Sequence, residues 1–135
     1  MEEWEASYLA GIIDGEGSIT LTRMHQKEFR RPCISIASTD IELLDYIKSI
    51  TGGSIINKKN YKPGKHKNSY CLNINKKNEV FSALHQIAQY LRVERKRHRC
   101  NWILLHYNNI TPRNGKYDQQ MLERKMEFEK SFFLL

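Results

Sequence analysis

Apolar positions in the first fifteen residues recur every three to four: Trp4, Tyr8 and Ile12 on one line, Leu9 and Ile13 beside it. That period predicts a helix from Trp4 to Gly15, with Gly17 placed to end it in a left-handed turn. From Ser18 the period drops to two. Ser18–Thr22 and Cys33–Ala37 alternate and read as paired strands, joined by the polar stretch Met24–Arg31. Helical spacing returns at Leu43, Leu44 and Ile47, with Thr39 and Glu42 at capping-box spacing before it and Gly52-Gly53 after it. A second hairpin follows, Ser54–Asn60 and Ser69–Asn75, its tip marked by Pro63-Gly64. A third helix covers about Lys76 to Leu91, with Val80, Phe81, Leu84, Ile87, Ala88 and Leu91 on one side. A fourth carries Trp102, Ile103, Leu105 and His106; Thr111–Gly115 is a loop, and a last helix runs from about Asp118 to Phe132.

The order helix, hairpin, helix, hairpin, helices is a weak internal duplication inside one domain of 135 residues. Such an α+β chain lays an antiparallel sheet against helices on one face and leaves the other face free. Residues 1–108 hold the repeated unit. Residues 109–135 read as a C-terminal loop and helix packed on the same domain.

Charge adds a direction to that picture. Lys and Arg number 22 against 15 Asp and Glu, a net charge of +7, which favours a polyanion partner. Acids gather at the two ends, bases in the two hairpin connections and in Arg92–Arg99. Both hairpins are basic at their tips, so the free face of the sheet is expected to be the basic one. No apolar run approaches the length of a membrane span, and the acidic start is unlike a secretory signal, so the expected location is intracellular. Cys33, Cys71 and Cys100 form no CxxC pair; buried thiols in a reducing compartment account for them better than a zinc site.

The densest chemistry lies in Leu9-Ala10-Gly11-Ile12-Ile13-Asp14-Gly15-Glu16-Gly17. Gly11 and Gly15 sit one turn apart on one side of the expected helix. Each costs a helix about 1 kcal/mol relative to alanine. Close approach of another helix would justify both; a packing glycine plus a cap glycine would also do so. Asp14 and Glu16 stand at the negative end of the helix dipole, where an acid is disfavoured by about 0.3–1 kcal/mol. A cation would reverse that penalty, and carboxylate and carbonyl oxygens suit Mg²⁺ or Ca²⁺. For Asp14, local hydrogen bonds in the turn are the plainer account.

This stretch, followed by Ser18-Ile19, resembles the motif of the LAGLIDADG homing endonucleases, with Ile12, Gly15 and Glu16 as conservative exchanges. The element order resembles the family over about residues 1–108; the tail beyond Thr111 has no specific counterpart. The resemblance implies an αββαββα fold with a saddle-shaped antiparallel sheet. It implies a single-motif subunit that works as a homodimer, its motif helices touching through Leu9, Gly11, Ile12 and Gly15. Glu16 would bind the metal with help from the Gly15 carbonyl, and Asp14 would cap and orient the helix end. The cofactor would be Mg²⁺, with Mn²⁺ or Ca²⁺ able to occupy the site. Lys96 falls in register with a family lysine that polarises water, with Arg95 and Arg97 as alternatives. Ser38 matches a polar water-contacting position, and equally suits a helix cap. The reaction implied is site-specific cleavage of double-stranded DNA at a near-palindromic site, leaving 3′ overhangs. The same fold also serves intron-splicing maturases and non-cleaving binders, so intron RNA is an alternative partner.

DNA contacts are expected from the hairpins, since a two-stranded ribbon fits the major groove. The first offers Arg23, His25, Gln26, Lys27, Arg30, Arg31 and Ser35; the second offers Lys58, Lys59, Tyr61, Lys65, Lys67 and Asn73. The Lys/Asn/Ile-rich composition points to an A·T-rich coding genome, organellar or bacterial/phage.

Overall fold

A computed structural model describes all 135 residues. Five helices and four strands follow one another as α1 (Glu3–Glu16), β1 (Gly17–Thr22), β2 (Arg31–Ser38), α2 (Ile41–Thr51), β3 (Ser54–Lys58), β4 (Ser69–Ile74), α3 (Lys77–Ile87), α4 (Glu94–His106) and α5 (Gln119–Leu134). Two 3₁₀ turns, Ala88–Tyr90 and Asn108–Ile110, flank α4. The strands form one antiparallel sheet in the order β1-β2-β4-β3, the arrangement expected from two hairpins joined at their second strands.

Alternation sorts each strand between two environments. Ile19 and Leu21, Ile34 and Ile36, Leu72 and Ile74 face the helices and are buried. Ser18, Ser35, Asn73 and Ser54 share a register row on the opposite face. The helical side is closed by Ala6, Leu9, Ala10 and Ile13 of α1, Leu44 and Ile47 of α2, Val80, Leu84 and Ile87 of α3, and Cys100 and Ile103 of α4. Phe128 and Phe132 of α5 join the same core.

Several local readings change. Trp4 and Tyr8, whose spacing helped to predict the helix, are 66% and 45% exposed; small Ala6 and Ala10 pack inward instead. Gly17 is extended, at φ −104°, and not left-handed. Its role is space, because a Cβ there would stand 2.9 Å from the Ile13 Cα. The glycines at positive φ are Gly52, Gly53 and Gly115, at 78°, 95° and 69°. The expected capping box at Thr39 is absent: Asp40 is the N-cap of α2, and its N–H donates to Ser38 Oγ at 3.0 Å. Helix three stops at Ile87, and most of the basic run, Arg95–Arg99, lies inside α4, with only Arg92 ahead of it. Leu105 lies on the outside of α4, 67% exposed.

Candidate active site and nucleic-acid interface

The last turn of α1 is engaged by α4 and by the residues just ahead of it. Its C-terminal carbonyls have no helical partners. Lys96 Nζ reaches across from α4 and donates to Ile13 O at 2.7 Å and Asp14 O at 2.8 Å. Asp14 returns the connection: its two carboxylate oxygens accept the N–H groups of Arg92 and Val93 at 2.9 and 3.0 Å. Asp14 therefore caps the start of α4, some eighty residues away, rather than its own turn. Leu91 and Val93 on either side of Arg92 are extended, between the third helix and α4, and this stretch presents those N–H groups. The lysine also offsets the helix dipole at this end.

Glu16, two residues on, is treated differently. It is exposed and joins none of the chain's ion pairs. Gly15 beside it is exposed as well. β2 extends two residues beyond Ile36, the partner of Gly17, so Ser38 stands at the same end of the sheet. Its Oγ already accepts the Asp40 N–H.

The outer face of α1 carries Trp4, Tyr8, Gly11 and Gly15, spaced to lie along one stripe. A Cβ built on Gly11 or Gly15 would meet nothing within 4 Å. Neither glycine serves packing within the chain, so the two-glycine cost is not recovered there. Ile12 is half-buried at the stripe's margin. Leu9 does not belong to it: fully buried against the sheet, it is unavailable to another chain.

On the open face, the strand centres are small and neutral, not basic. Ser18, Thr20, Cys33, Ser35, Cys71 and Asn73 present hydroxyl, thiol and amide groups; Ser35 Oγ and Cys71 Sγ lie 3.1 Å apart. Positive charge gathers at the strand ends, at Arg31 of β2 and Lys58 of β3, and in the two hairpin loops. Arg23, His25, Gln26 and Lys27 are exposed in the first loop. Arg30 is turned away: its N–H donates to Glu129 at 2.9 Å and its guanidinium packs 5.1 Å from the Phe133 ring centre. Arg31 pairs with Glu28 at 3.5 Å. The second loop encloses a hollow of about 370 Å³ lined by Lys58, Lys59, Tyr61 and Lys67, among others. Asn60 shapes it, donating to the carbonyl of His66 and the side chain of Asn68 and accepting from Lys62 N–H. Lys65 projects from the same loop, exposed. Cys33 and Cys71 are buried, as expected of them, but on the side of the sheet away from the helices; Asn60, expected only as one of the second hairpin's DNA contacts, also holds its own loop together. The alternation around Cys33 and Cys71 was a readable sign that both thiols leave the core side.

A family model described as a LAGLIDADG-like domain matches residues 3–98. The chain belongs to that family. No curated protein sequence matches the chain. Among solved structures, the homing endonuclease I-CvuI in complex with its target in the presence of Ca superposes with a TM-score of 0.75 at 17% identity, covering 98% of this chain and 82% of that one. An archaeal intron-encoded homing endonuclease, I-Vdi141I, complexed with DNA, gives 0.64 at 20% identity, with 98% and 84% covered. The I-SmaMI LAGLIDADG homing endonuclease bound to cleaved DNA gives 0.66 at 19% identity, but only 42% of its chain is covered. The α+β fold is thus that of the LAGLIDADG homing endonucleases, as the nine-residue motif implied.

Proposed function

We propose that two copies of this LAGLIDADG chain pair through the outer stripe of α1 and cut double-stranded DNA at a long, near-palindromic site, leaving 3′ overhangs. One observation carries the reading. A helix face made bare by Gly11 and Gly15 ends in an unpaired Glu16, beside a lysine fixed by backbone carbonyls. The lengths of the similar structures support pairing. This chain spans most of I-CvuI and I-Vdi141I but less than half of I-SmaMI, a chain long enough for two such folds.

The donor set fits a divalent ion. The Glu16 carboxylate and the Gly15 carbonyl are hard oxygen ligands of the kind Mg²⁺ prefers. One chain brings together no group of three His, Cys, Asp or Glu, so a complete shell needs the second copy and the phosphate itself. A bound ion would lower the pKa of a water and stabilise charge on the leaving oxygen. The protein's part is positioning. Asp14 fixes α1 to α4 and so sets the direction in which Glu16 projects. Lys96 spends two of its three N–H donors on carbonyls, leaving one for a water or phosphate oxygen. The two-fold axis would give each DNA strand one Glu16 and one Lys96.

Reading the sequence would fall to the small polar groups of the open face, and phosphate contact to the loop lysines. The deciding experiment measures mass in solution and Mg²⁺-dependent cleavage of a genuine target by wild type and Glu16→Gln. A dimer that cuts, and a mutant dimer that binds without cutting, support the proposal. A monomer, or a mutant that cuts normally, overturns it. The genuine target matters, since I-CvuI with the I-CreI target and Mg left the DNA uncleaved.

A further inference from the structure

Around Tyr107, off the open face of the sheet, cations outnumber the acids able to neutralise them. Two adjoining hollows of about 430 and 530 Å³ are both lined by Arg31 and Tyr107. The first also takes in Lys27 and Lys125, the second Lys76 and Lys77. Lys125 Nζ stands 4.2 Å from the Tyr107 ring centre and Lys77 Nζ 5.9 Å, so two ammonium groups share one ring. Lys125 is 1% exposed and gives one N–H to Thr111 Oγ1 at 2.7 Å. Burial holds its pKa down to about 8; Glu129 opposes that drop and Lys77 adds to it.

The acids nearby are already engaged. Glu28 pairs with Arg31, and Glu129 holds both the backbone N–H and the guanidinium of Arg30. No salt bridge reaches Lys27, Lys76 or Lys77. Crowding like charges around one ring costs free energy that an anion would return, and charge-assisted bonds to phosphate oxygens are strong. A walled hollow with ammonium and guanidinium groups converging from β2, α3 and α5 is suited to a compact polyanionic group.

We propose that this basin is a phosphate-binding site. Its place beside the start of β2 and outside the strand face means that a phosphodiester held there would belong to duplex flanking the stretch the sheet reads. A free phosphate ion is the other source of the same chemistry. The duplex source rests on the function proposed above; the site itself does not.

The test follows the ε-methylene signals of Lys77 and Lys125 by NMR in the intact protein while inorganic phosphate is added without DNA. A saturable shift at both lysines is expected in the wild type, and in Lys76→Gln/Lys77→Gln the shift that remains at Lys125 should weaken; the two substituted residues are exposed, so the fold is spared. A second arm measures affinity against salt for a target duplex with and without an extra helical turn at each end. If duplex supplies the phosphate, the double variant, which removes two lysines from each of the two paired copies, loses about four units of log–log salt slope on the longer duplex alone. A phosphate shift with unchanged slopes assigns the basin to free phosphate. Flat lysine signals in phosphate together with unchanged slopes overturn the proposal. Because the first arm contains no DNA, a protein that never cuts can still pass it, which separates this failure from that of the endonuclease reading.

Discussion

The two sides of α1 are built from the same fourteen residues and obey opposite rules. The inner side, Ala6, Leu9, Ala10 and Ile13, is closed against sheet and helices with almost no exposure. The outer side, Trp4, Tyr8, Gly11 and Gly15, is exposed and has open space at both glycines, with Tyr8 edge-on to Tyr46 at 5.8 Å. The contrast shows that a helix can be well placed by one face while the other stays free for the pairing proposed above. The same division recurs in the acids at its end. Asp14 is committed to the backbone N–H groups of Arg92 and Val93 just ahead of α4, and Glu16 joins no ion pair.

That contrast can be broken from either side. The largest effect is expected at the free acid. Glu16→Gln should lower the rate of DNA cleavage by about 10²–10³-fold, the size seen when one group stabilising a transition state is removed. The melting temperature should stay unchanged; a large drop in it would mean that Glu16 is structural after all. On the inner face, Leu9→Ala should cost about 2–5 kcal/mol, read by denaturant unfolding. A loss below about 1 kcal/mol would contradict its burial. On the outer face, Gly15→Arg should leave the secondary structure intact and shift the mass in light scattering from dimer to monomer. Dimers that persist would show that pairing uses another surface. Asp14→Ala should cost about 0.5–2 kcal/mol, as for a lost helix cap, with faster hydrogen exchange concentrated at Arg92 and Val93.

The smallest expected effect concerns pH. Lys125 titrates near 8 in the fold against 10.5 for an ordinary lysine. Below about 8 both the folded and unfolded chains protonate it, and the fold carries the whole cost of a buried ammonium. As pH rises from 8 toward 10.5 the folded chain releases the proton first, so stability should rise. Burial of Cys100, whose thiol is pushed up to about 12, works the other way once pH passes 9. The gain should therefore appear between about pH 7 and 9 and vanish in Lys125→Met. An identical pH profile in that variant would remove Lys125 as its source.

Periodicity in the sequence was enough to place every strand and nearly every helix, because period two and period 3.6 bury different sets of side chains. The nine residues from Leu9 to Gly17 were enough to point to the family and to single out Glu16. What periodicity could not do was assign a side to residues of mixed character. Trp4 and Tyr8 are apolar enough for a core but stand outside it, and Leu9 fits an interface by type but is fully buried. Arg30 reads like any hairpin cation until α5 folds back and captures it with Glu129 and Phe133.

The amino-acid order alone determined the element sequence, the basic loops and the motif, since these depend on neighbours a few residues apart. Only the tertiary structure decided the partners of Asp14 and Lys96, the bareness of Gly11 and Gly15, and the crowding of lysines around Tyr107. Those are set by contacts between segments some eighty or more residues apart for Asp14 and Lys96, or by space that no local pattern records.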